Sequence, residues 1–309
     1  MNTTRVARRV RYSSAPGAAR RRRRRWLDAA AHALFLLAAA AAAAVLALLL
    51  RDLLQTGLPR LSWAFLSSYG SRFADRAGIL APLVGSVYVV LLAAAFALPV
   101  GVATAIFLEF YAGDPASPTW LRQLNRILQL SIANLAGVPS IVYGLFGLAF
   151  FVRGLALGRS VLAAALTLAL LVLPVVIVSA REALRAVPPS LAHAAYALGA
   201  SRGQAVFTVV LPAALGGIMT GSILSLSRAL GESAPLIAVG AWVYVARLPV
   251  SPLDSFTVLP VQIYHWASMP QRAFQEAAAA GILVLLLVLL GMNGAAIWLR
   301  NKFQRKAEW

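Results

Sequence analysis

Two opposite charges stand one helical turn apart in an otherwise apolar stretch of this 309-residue chain, Arg228 and Glu232 in SRALGESAPL (residues 227–236). A guanidinium presents a fork of N–H donors that matches the oxygens of a tetrahedral oxyanion, and it keeps its charge when water is removed. The carboxylate pairs with the arginine in an empty site, or accepts a hydrogen bond from a protonated oxyanion. The same spacing also permits a purely structural ion pair, so both interpretations stay open.

The residues before this pair predict a helical face of small side chains. Ser225 lies three positions before Arg228 and Glu232 four positions after it, which places all three on one side of a helix. Gly217 and Gly221 continue that side as a small-xxx-small pattern, which permits close helix approach. Such a stripe is typical of a pathway wall or a tight subunit seam, and we take Ser225, Arg228 and Glu232 as candidate substrate-pathway residues.

Two prolines predict bends in the helices that carry these residues. Pro235 has no N–H and leaves the carbonyl of Gly231 without its helical donor, while Gly231 itself adds no side-chain bulk. Pro139, in AGVPS (residues 136–140), marks a second candidate bend. We therefore expect a bend beside the charged pair.

The elements that must position these residues are membrane-spanning helices. The chain is 61% hydrophobic and only 12% charged, about half the charged fraction of an ordinary soluble domain. Its long apolar runs reach the roughly 17–25 residues that a span needs, and they lack the alternation of barrel strands. The composition predicts an all-α polytopic membrane protein with six transmembrane helices. They fall at about 27–50, 79–108, 127–151, 160–180, 213–245 and 276–299.

The distribution of arginine and lysine predicts that both termini are cytoplasmic. Of the 28 basic residues, 19 fall on one side of the predicted spans, in segments 1–26, 109–126, 181–212 and 300–309. By the positive-inside rule this side faces the cytoplasm. Arg228 itself falls roughly 22 Å along the fifth span, inside a hydrocarbon layer roughly 30 Å thick. An unpaired charge facing lipid would cost at least ~2.5–3.5 kcal/mol, so Arg228 needs a partner, water or an anion.

The Arg-rich N-terminal tail, residues 1–26, contains the run Arg20–Arg25 in a chain of formal net charge +18. We interpret it as a topology anchor against anionic lipid, with no nucleic acid as partner. Nucleic-acid binding and the n-region of a cleaved signal peptide are the alternatives, although the apolar stretch that follows is longer than a usual signal sequence. The tail precedes a membrane domain over 27–299, and a C-terminal tail covers 300–309.

The predicted cytoplasmic loop at 181–212 is long and carries small apolar residues rather than a charged surface. The doublet Pro188–Pro189 ends the preceding helix. Ser190 is a candidate N-cap of a short helix, Gly199 suits a left-handed C-cap, and a second helix is expected to stop near Pro212. A short apolar helix that projects from a membrane domain fits a groove on another protein, and a packed or re-entrant loop is the alternative.

This loop resembles the EAA loop of ATP-binding-cassette importer permeases, which reads E-A-A, three residues, G, nine residues, I-x-L-P. The match places an ATPase-docking helix in the loop, with His193 standing where that family usually has glutamate. The coupling residues that the resemblance implies are His193, Ala194, Ala195, Gly199, Leu211 and Pro212.

Further motifs resemble the PstA family, permeases of Pst-type phosphate importers, from about residue 77 onward. They are NLAGVPSIVYGLFGLAFF (134–151), the GESAPL of 231–236, LPVQIYHWASMPQ (259–271) and NKFQRK (301–306). The resemblance implies a type I ABC importer permease (MetI-like) in the bacterial inner membrane. It further implies a PstC-like second permease, two copies of a PstB-like ATPase and a periplasmic PstS-like phosphate-binding protein. Phosphate is the implied substrate, and another oxyanion such as sulfate or molybdate is the alternative.

If transport is driven by ATP, the residues themselves indicate that hydrolysis takes place on a partner. A phosphate-binding loop needs a lysine after glycine, but the two lysines, Lys302 and Lys306, stand in the C-terminal tail and neither follows glycine. The chain has no cysteine, and its three histidines lie on separate segments, so we predict no bound metal or cofactor. An intramembrane enzyme using Glu232 would need a second carboxylate, a cysteine or a histidine metal motif, and a secondary transporter would not need the docking loop. We predict a non-catalytic channel subunit.

Overall fold

The computed structural model describes residues 17–113, 118–241, 245 and 247–304. Residues 1–16 of the Arg-rich tail and residues 305–309 of the C-terminal tail lie outside the described residues. The chain divides into two units, residues 1–52 and 53–309. The first unit is described from residue 17 onward as a helix, α1 (Gly17–Gly57), that runs on into the second unit.

Every regular element in the described part of the chain is helical. The α-helices after α1 are α2 (Trp63–Ser67), α3 (Leu80–Ile106), α4 (Thr119–Ala136), α5 (Ser140–Gly147), α6 (Val161–Arg185), α7 (Pro189–Ala197), α8 (Arg202–Ala205), α9 (Leu211–Leu230), α10 (Ala234–Val239), α11 (Leu259–Ala267) and α12 (Arg272–Gln304). Wider π-helical turns follow α3 (Phe107–Tyr111) and α5 (Leu148–Gly154) and join α8 to α9 (Val206–Val210). Short 3-10 turns occupy Leu58–Arg60 and Ala74–Arg76.

The helices confirm the multi-pass membrane fold. Within the described residues, five are long and apolar enough to cross a membrane: Trp26–Arg60, Leu80–Tyr111, Val161–Arg185, Arg202–Leu230 and Arg272–Lys302. The pair Thr119–Ala136 and Ser140–Gly154 makes the sixth if it is counted as one span.

The third predicted span, 127–151, is not one straight helix. Between α4 and α5 the chain changes direction by 103°. Pro139 explains the change, because a proline drives the residue before it out of the helical region and offers no N–H of its own. Pro139 adopts an extended ψ of 136° as the N-cap of α5.

The fifth predicted span, 213–245, is wrong at both ends, and part of its predicted C-terminal end (242–244) lies outside the described residues. The helical stretch begins at Arg202 and passes through Pro212 instead of stopping there. A π-helical turn directly before Pro212 widens the backbone, which accommodates the proline ring and its missing N–H. The helix then ends at Leu230, and α10 begins only at Ala234.

α6 is the central helix of the largest apolar cluster. Val172 and Val176 of α6 pack with Val89 of α3 and Leu226 of α9, and all four are buried. The helices approach closely where small residues face larger ones, since a Cβ on Gly101 of α3 would lie 2.6 Å from Cγ1 of Val176. Such small-residue contacts are how membrane helices gain van der Waals packing.

The N-terminus of α6 is buried, and its first amides find acceptors outside the helix. The amide of Val161 donates to the carbonyl of Asp254 at 3.0 Å, and that of Leu162 to the carbonyl of Pro252 at 2.7 Å. The hydroxyl of Ser160 accepts from the amide of Ala163 at 3.3 Å. These contacts satisfy amides that a helix start otherwise leaves without partners.

The loop that supplies these carbonyls is held by its own aspartate. The Asp254 carboxylate accepts from the amides of Ser251 at 2.9 Å and Val250 at 2.8 Å. These two backbone hydrogen bonds, the one from Ser251 first, lower the pKa of the Asp254 carboxyl because they stabilise its charged form. The loop is therefore fixed in the conformation that covers the start of α6.

We expect Ser160→Ala to destabilise the protein by roughly 1–2 kcal/mol, because the buried amide of Ala163 loses its acceptor. The measurement is thermal unfolding of the detergent-purified protein. Ser131→Ala, at an exposed position on α4, is the matched control and should leave the melting temperature unchanged. Equal melting temperatures for both variants would contradict the capping role.

Candidate functional site

The candidate site lies where two interrupted helices meet. α5 packs against α10 at Gly144, where a Cβ would lie 2.6 Å from the Cα of Pro235 and 2.7 Å from the Cβ of Ala238. No side chain fits at that distance, so the two helices touch through their backbones. Each helix follows a short interruption of the helical chain, at residues 137–139 before α5 and 231–233 before α10. These two interruptions therefore face each other.

An open cleft of about 280 Å³ separates the two breaks. Its lining comes from the bend (residues 135–140 and Tyr143), from α6 (Leu171, Val172 and Val175) and from the end of α9 and the turn after it (Ser225, Arg228 and Glu232). The cleft thus joins an apolar wall to one positive and one negative side chain.

The charged pair is loosely held. Nε of Arg228 lies 4.0 Å from Oε1 of Glu232, and the two side chains are 76% and 23% exposed. A pair this long and this open contributes at most about 1 kcal/mol, so the guanidinium is free to exchange its partner for an anion. Contrary to the prediction from the spacing, Glu232 is not in the same helix as Arg228, because α9 ends at Leu230 and leaves Glu232 in the break.

The small residues before the pair have a different role from the one expected of a pathway wall. A Cβ on Gly217 would lie 2.8 Å from Cβ of Ala183, and one on Gly221 would lie 2.5 Å from Cβ of Ser179. Gly217 and Gly221 therefore form a close contact between α9 and α6 within this chain. Ser225 is buried and donates its hydroxyl to the carbonyl of Gly221 at 2.8 Å, so the stripe reaches the cleft only at its end.

Sequence reasoning missed Tyr143, which fixes the bend that forms the opposite wall. Its hydroxyl donates to the carbonyl of Leu135 at 2.8 Å and so bridges the end of α4 and the first half of α5. The available signal was its place in the motif around AGVPS, four residues after Pro139. Side chains four residues apart share a helix face, but the sequence does not show that this face turns back toward α4.

The predicted coupling loop folds as a short helix followed by a left-handed residue. α7 begins at Pro189 with Pro188 as its N-cap, and not with Ser190 as cap, because a proline at the first helical position already has the required φ. Gly199 follows with a φ of 85°, a left-handed conformation that glycine adopts without strain.

The predicted coupling residues divide between two elements. His193 and Ala194 are exposed on α7, while Ala195 is buried on its other side. Leu211 and Pro212 belong instead to the long helical stretch that begins at Arg202. α7 therefore presents one face to its surroundings and packs the other against the membrane domain.

Comparison with known proteins identifies the family. Residues 119–305 match the family described as binding-protein-dependent transport system inner membrane components. A Mycobacterium tuberculosis protein named phosphate transport system permease protein PstA 1 is 33% identical over 223 residues, which cover 72% of this chain and 70% of that protein. The chain belongs to the PstA family of binding-protein-dependent transport permeases.

Other relatives agree with membership of the PstA family. The phosphate transport system permease protein PstA of Xylella fastidiosa (strain Temecula1) is 32% identical over 254 residues, 81% of this chain and 85% of that protein. Among solved structures, an inward-facing MetNI methionine ABC transporter superposes with a TM-score of 0.59 at 20% identity, over 71% of this chain and 93% of that one. This likeness confirms the predicted MetI-like fold of this PstA-family chain.

We expect Gly144→Ala to destabilise this PstA-family chain by roughly 1–3 kcal/mol, because the added methyl separates α5 from α10. Gly294→Ala in α12 is the matched control, since nothing lies within 4 Å of its Cβ position. The control should be neutral or slightly stabilising, as alanine favours a helix over glycine. Thermal unfolding in detergent compares the two, and a Gly144→Ala protein as stable as the control would disprove the close contact.

Proposed function

We propose that this chain is the channel subunit of an ATP-driven inorganic phosphate importer in the bacterial inner membrane. Its PstA-family relatives are named phosphate transport system permeases. The observation that carries the proposal at the site is the exposed guanidinium of Arg228, held in a cleft between two interrupted helices. A permease for another oxyanion, such as sulfate or molybdate, is the alternative.

Arg228 supplies a transient anion site in this proposal. Its fork of N–H donors matches two phosphate oxygens, and its charge persists when water is excluded. Glu232, 4.0 Å away, balances the charge while the cleft is empty. When phosphate arrives, the carboxylate accepts a hydrogen bond from its protonated oxygen, which fully ionised sulfate does not offer. A weakly paired arginine is suited to passage, because transport requires release as well as binding.

The remaining components of the importer are partner chains. Membership of the family associates the chain with an ATPase and a substrate-binding protein. We assign these roles to two copies of a PstB-like ATPase and a periplasmic PstS-like protein, with a PstC-like permease closing the open side of the cleft. ATP is bound on the ATPase, and this chain binds no cofactor.

The proposed topology has both termini in the cytoplasm. The Glu109 carboxylate at the end of α3 forms ion pairs with Arg181 at 3.3 Å and Arg185 at 2.8 Å at the end of α6. The ends of these two helices therefore lie on the same side, which agrees with the proposed topology, and their arginines favour the cytoplasmic side. On that side α7, which we call the coupling helix, docks on the ATPase through the face that carries His193 and Ala194.

We expect Arg228→Ala to lower phosphate uptake by at least about tenfold, because the anion loses a charge-assisted hydrogen-bonding partner. Arg228→Lys should recover little, since an ammonium lacks the fork. The measurement is uptake of radiolabelled phosphate into proteoliposomes, normalised to the assembled complex, with and without sulfate or molybdate as competitor. Competition by either anion at phosphate-like concentrations would favour the alternative substrate.

Whether Arg228 and Glu232 form only a structural ion pair is tested with Glu232→Gln, alone and together with Arg228→Ala. If the two residues act on the anion, all variants should assemble normally and uptake should fail wherever the arginine is missing. If they form a structural pair, each single variant should lose assembled complex and the double variant should recover it. Uptake near the wild-type rate by Arg228→Ala would refute the anion site.

We expect Gly199→Val to uncouple ATP hydrolysis from transport. A β-branched residue at a φ of 85° is strained, and relief of this strain would redirect the end of the coupling helix. Gly199→Asn is the matched control, because asparagine tolerates the left-handed conformation and should keep most activity. The ratio of ATP hydrolysed to phosphate transported, measured on the purified complex, should rise for valine alone. Identical ratios for the two variants would count against the docking assignment.

A further inference from the structure

The π-helical turn at the end of α3, Phe107–Tyr111, contacts the segment before the coupling helix. Nε of Arg185 donates to both carboxylate oxygens of Glu109, at 2.8 and 2.9 Å. Arg181 donates to the same carboxylate at 3.3 Å. Both arginines lie in the last turns of α6, so Glu109 holds the chain just before it enters the coupling helix.

The same turn also contacts the segment after the coupling helix. The guanidinium carbon of Arg202 lies 5.4 Å from the centre of the Tyr111 ring, within the range of a cation–π contact. A Cβ on the neighbouring Gly203 would lie 3.8 Å from the Tyr111 hydroxyl. The two ends of the segment that contains the coupling helix thus contact residues only two positions apart, in the π-helical turn that follows α3.

Because they are partly buried, the ion pairs of Glu109 are difficult to separate. Glu109 and Arg181 are only 20% and 13% exposed, and Nε of Arg181 is buried with no hydrogen-bond partner among the described residues. Separating a partly buried pair leaves a poorly solvated charge without compensation. A displacement of the end of α6 must therefore either carry the end of α3 with it or break this cluster.

The π-helical turn also contacts the helix that leads to the cleft. The buried Asn125 of α4 donates from Nδ2 to the carbonyl of Leu108 at 3.5 Å, near the outer limit of a hydrogen bond. α4 ends at the bend whose residues 135–140 line the cleft with Arg228. One turn of α3 thus contacts both the coupling segment and the helix that forms the cleft wall.

We infer that Glu109 is a positioning residue for energy coupling, and that the turn Phe107–Tyr111 transfers displacement of the coupling helix to α3 and α4. The inference rests on the proposed function, because it assigns the cluster to the same importer. For Arg185→Gln, which keeps the buried Glu109–Arg181 pair, it predicts that transport per ATP falls while the amount of folded complex is unchanged.

The test uses the purified complex of this chain with its partner permease, ATPase and phosphate-binding protein in proteoliposomes. We expect Glu109→Gln to raise the ATP hydrolysed per phosphate transported by at least about fivefold, the lower end of typical coupling between sites. Arg185→Gln should raise it by a smaller factor, because only the more exposed of the two ion pairs is lost. Arg185→Gln is the milder variant for folding, because Arg185 is 58% exposed and the Glu109–Arg181 pair remains.

The matched controls are the same substitutions in an exposed pair, Glu276→Gln and Arg272→Gln, whose side chains form an ion pair at 3.3 Å at the start of α12. They should leave the ratio unchanged. Wild-type ratios for both cluster variants, or loss of assembled complex without a change in ratio, would overturn the inference. A wild-type complex that transports no phosphate would instead refute the proposed function, so the two failures are distinguishable.

Discussion

The contact between Gly144 of α5 and Pro235 of α10 is the constraint on which the candidate site depends. Each helix stands next to a break that a proline causes, and neither break would form a site by itself. Because the backbones meet where a Cβ would lie 2.6 Å from the Cα of Pro235, the two breaks face one cleft instead of lying on separate surfaces. The bend at 135–140 then forms a wall opposite Arg228 and Glu232. Close backbone approach therefore turns two local interruptions into one shared cavity.

α6 connects this cleft to both ends of the membrane domain. Its first amides are capped by the loop that contains Pro252 and Asp254, its middle lines the cleft, and its last turns carry the arginines that bind Glu109. Glycines on α3 and α9 let these helices approach α6 closely, so that small displacements are resisted by packing. We expect a helix held in this way to move as one body, which would connect the proposed coupling cluster to the proposed anion site.

The few charges of the described chain differ in exposure, and the difference matches the roles we assign to them. Arg228 is exposed in the cleft and loosely paired, so it exchanges partners at little cost. Arg181 is largely buried, and its pairing with Glu109 is costly to disrupt. The Arg272–Glu276 pair at the start of α12 is exposed as well, but neither residue lines the cleft or contacts Glu109. In the roles that we propose, the same ion-pair chemistry thus serves binding in one place and mechanical connection in another.

The sequence by itself determined the features that depend on local chemistry. Apolar runs predicted the spans, prolines 139 and 235 predicted where helices are interrupted, and the spacing of the loop motif indicated the permease family that the comparisons confirmed. Only the tertiary structure decided that Glu232 lies beyond the end of α9, that Gly221 packs on α6, and that Glu109 binds arginines 72 and 76 residues away. The reason is physical: dihedral limits and hydropathy act within a few residues, whereas close packing and ion pairing depend on which helices the fold brings together.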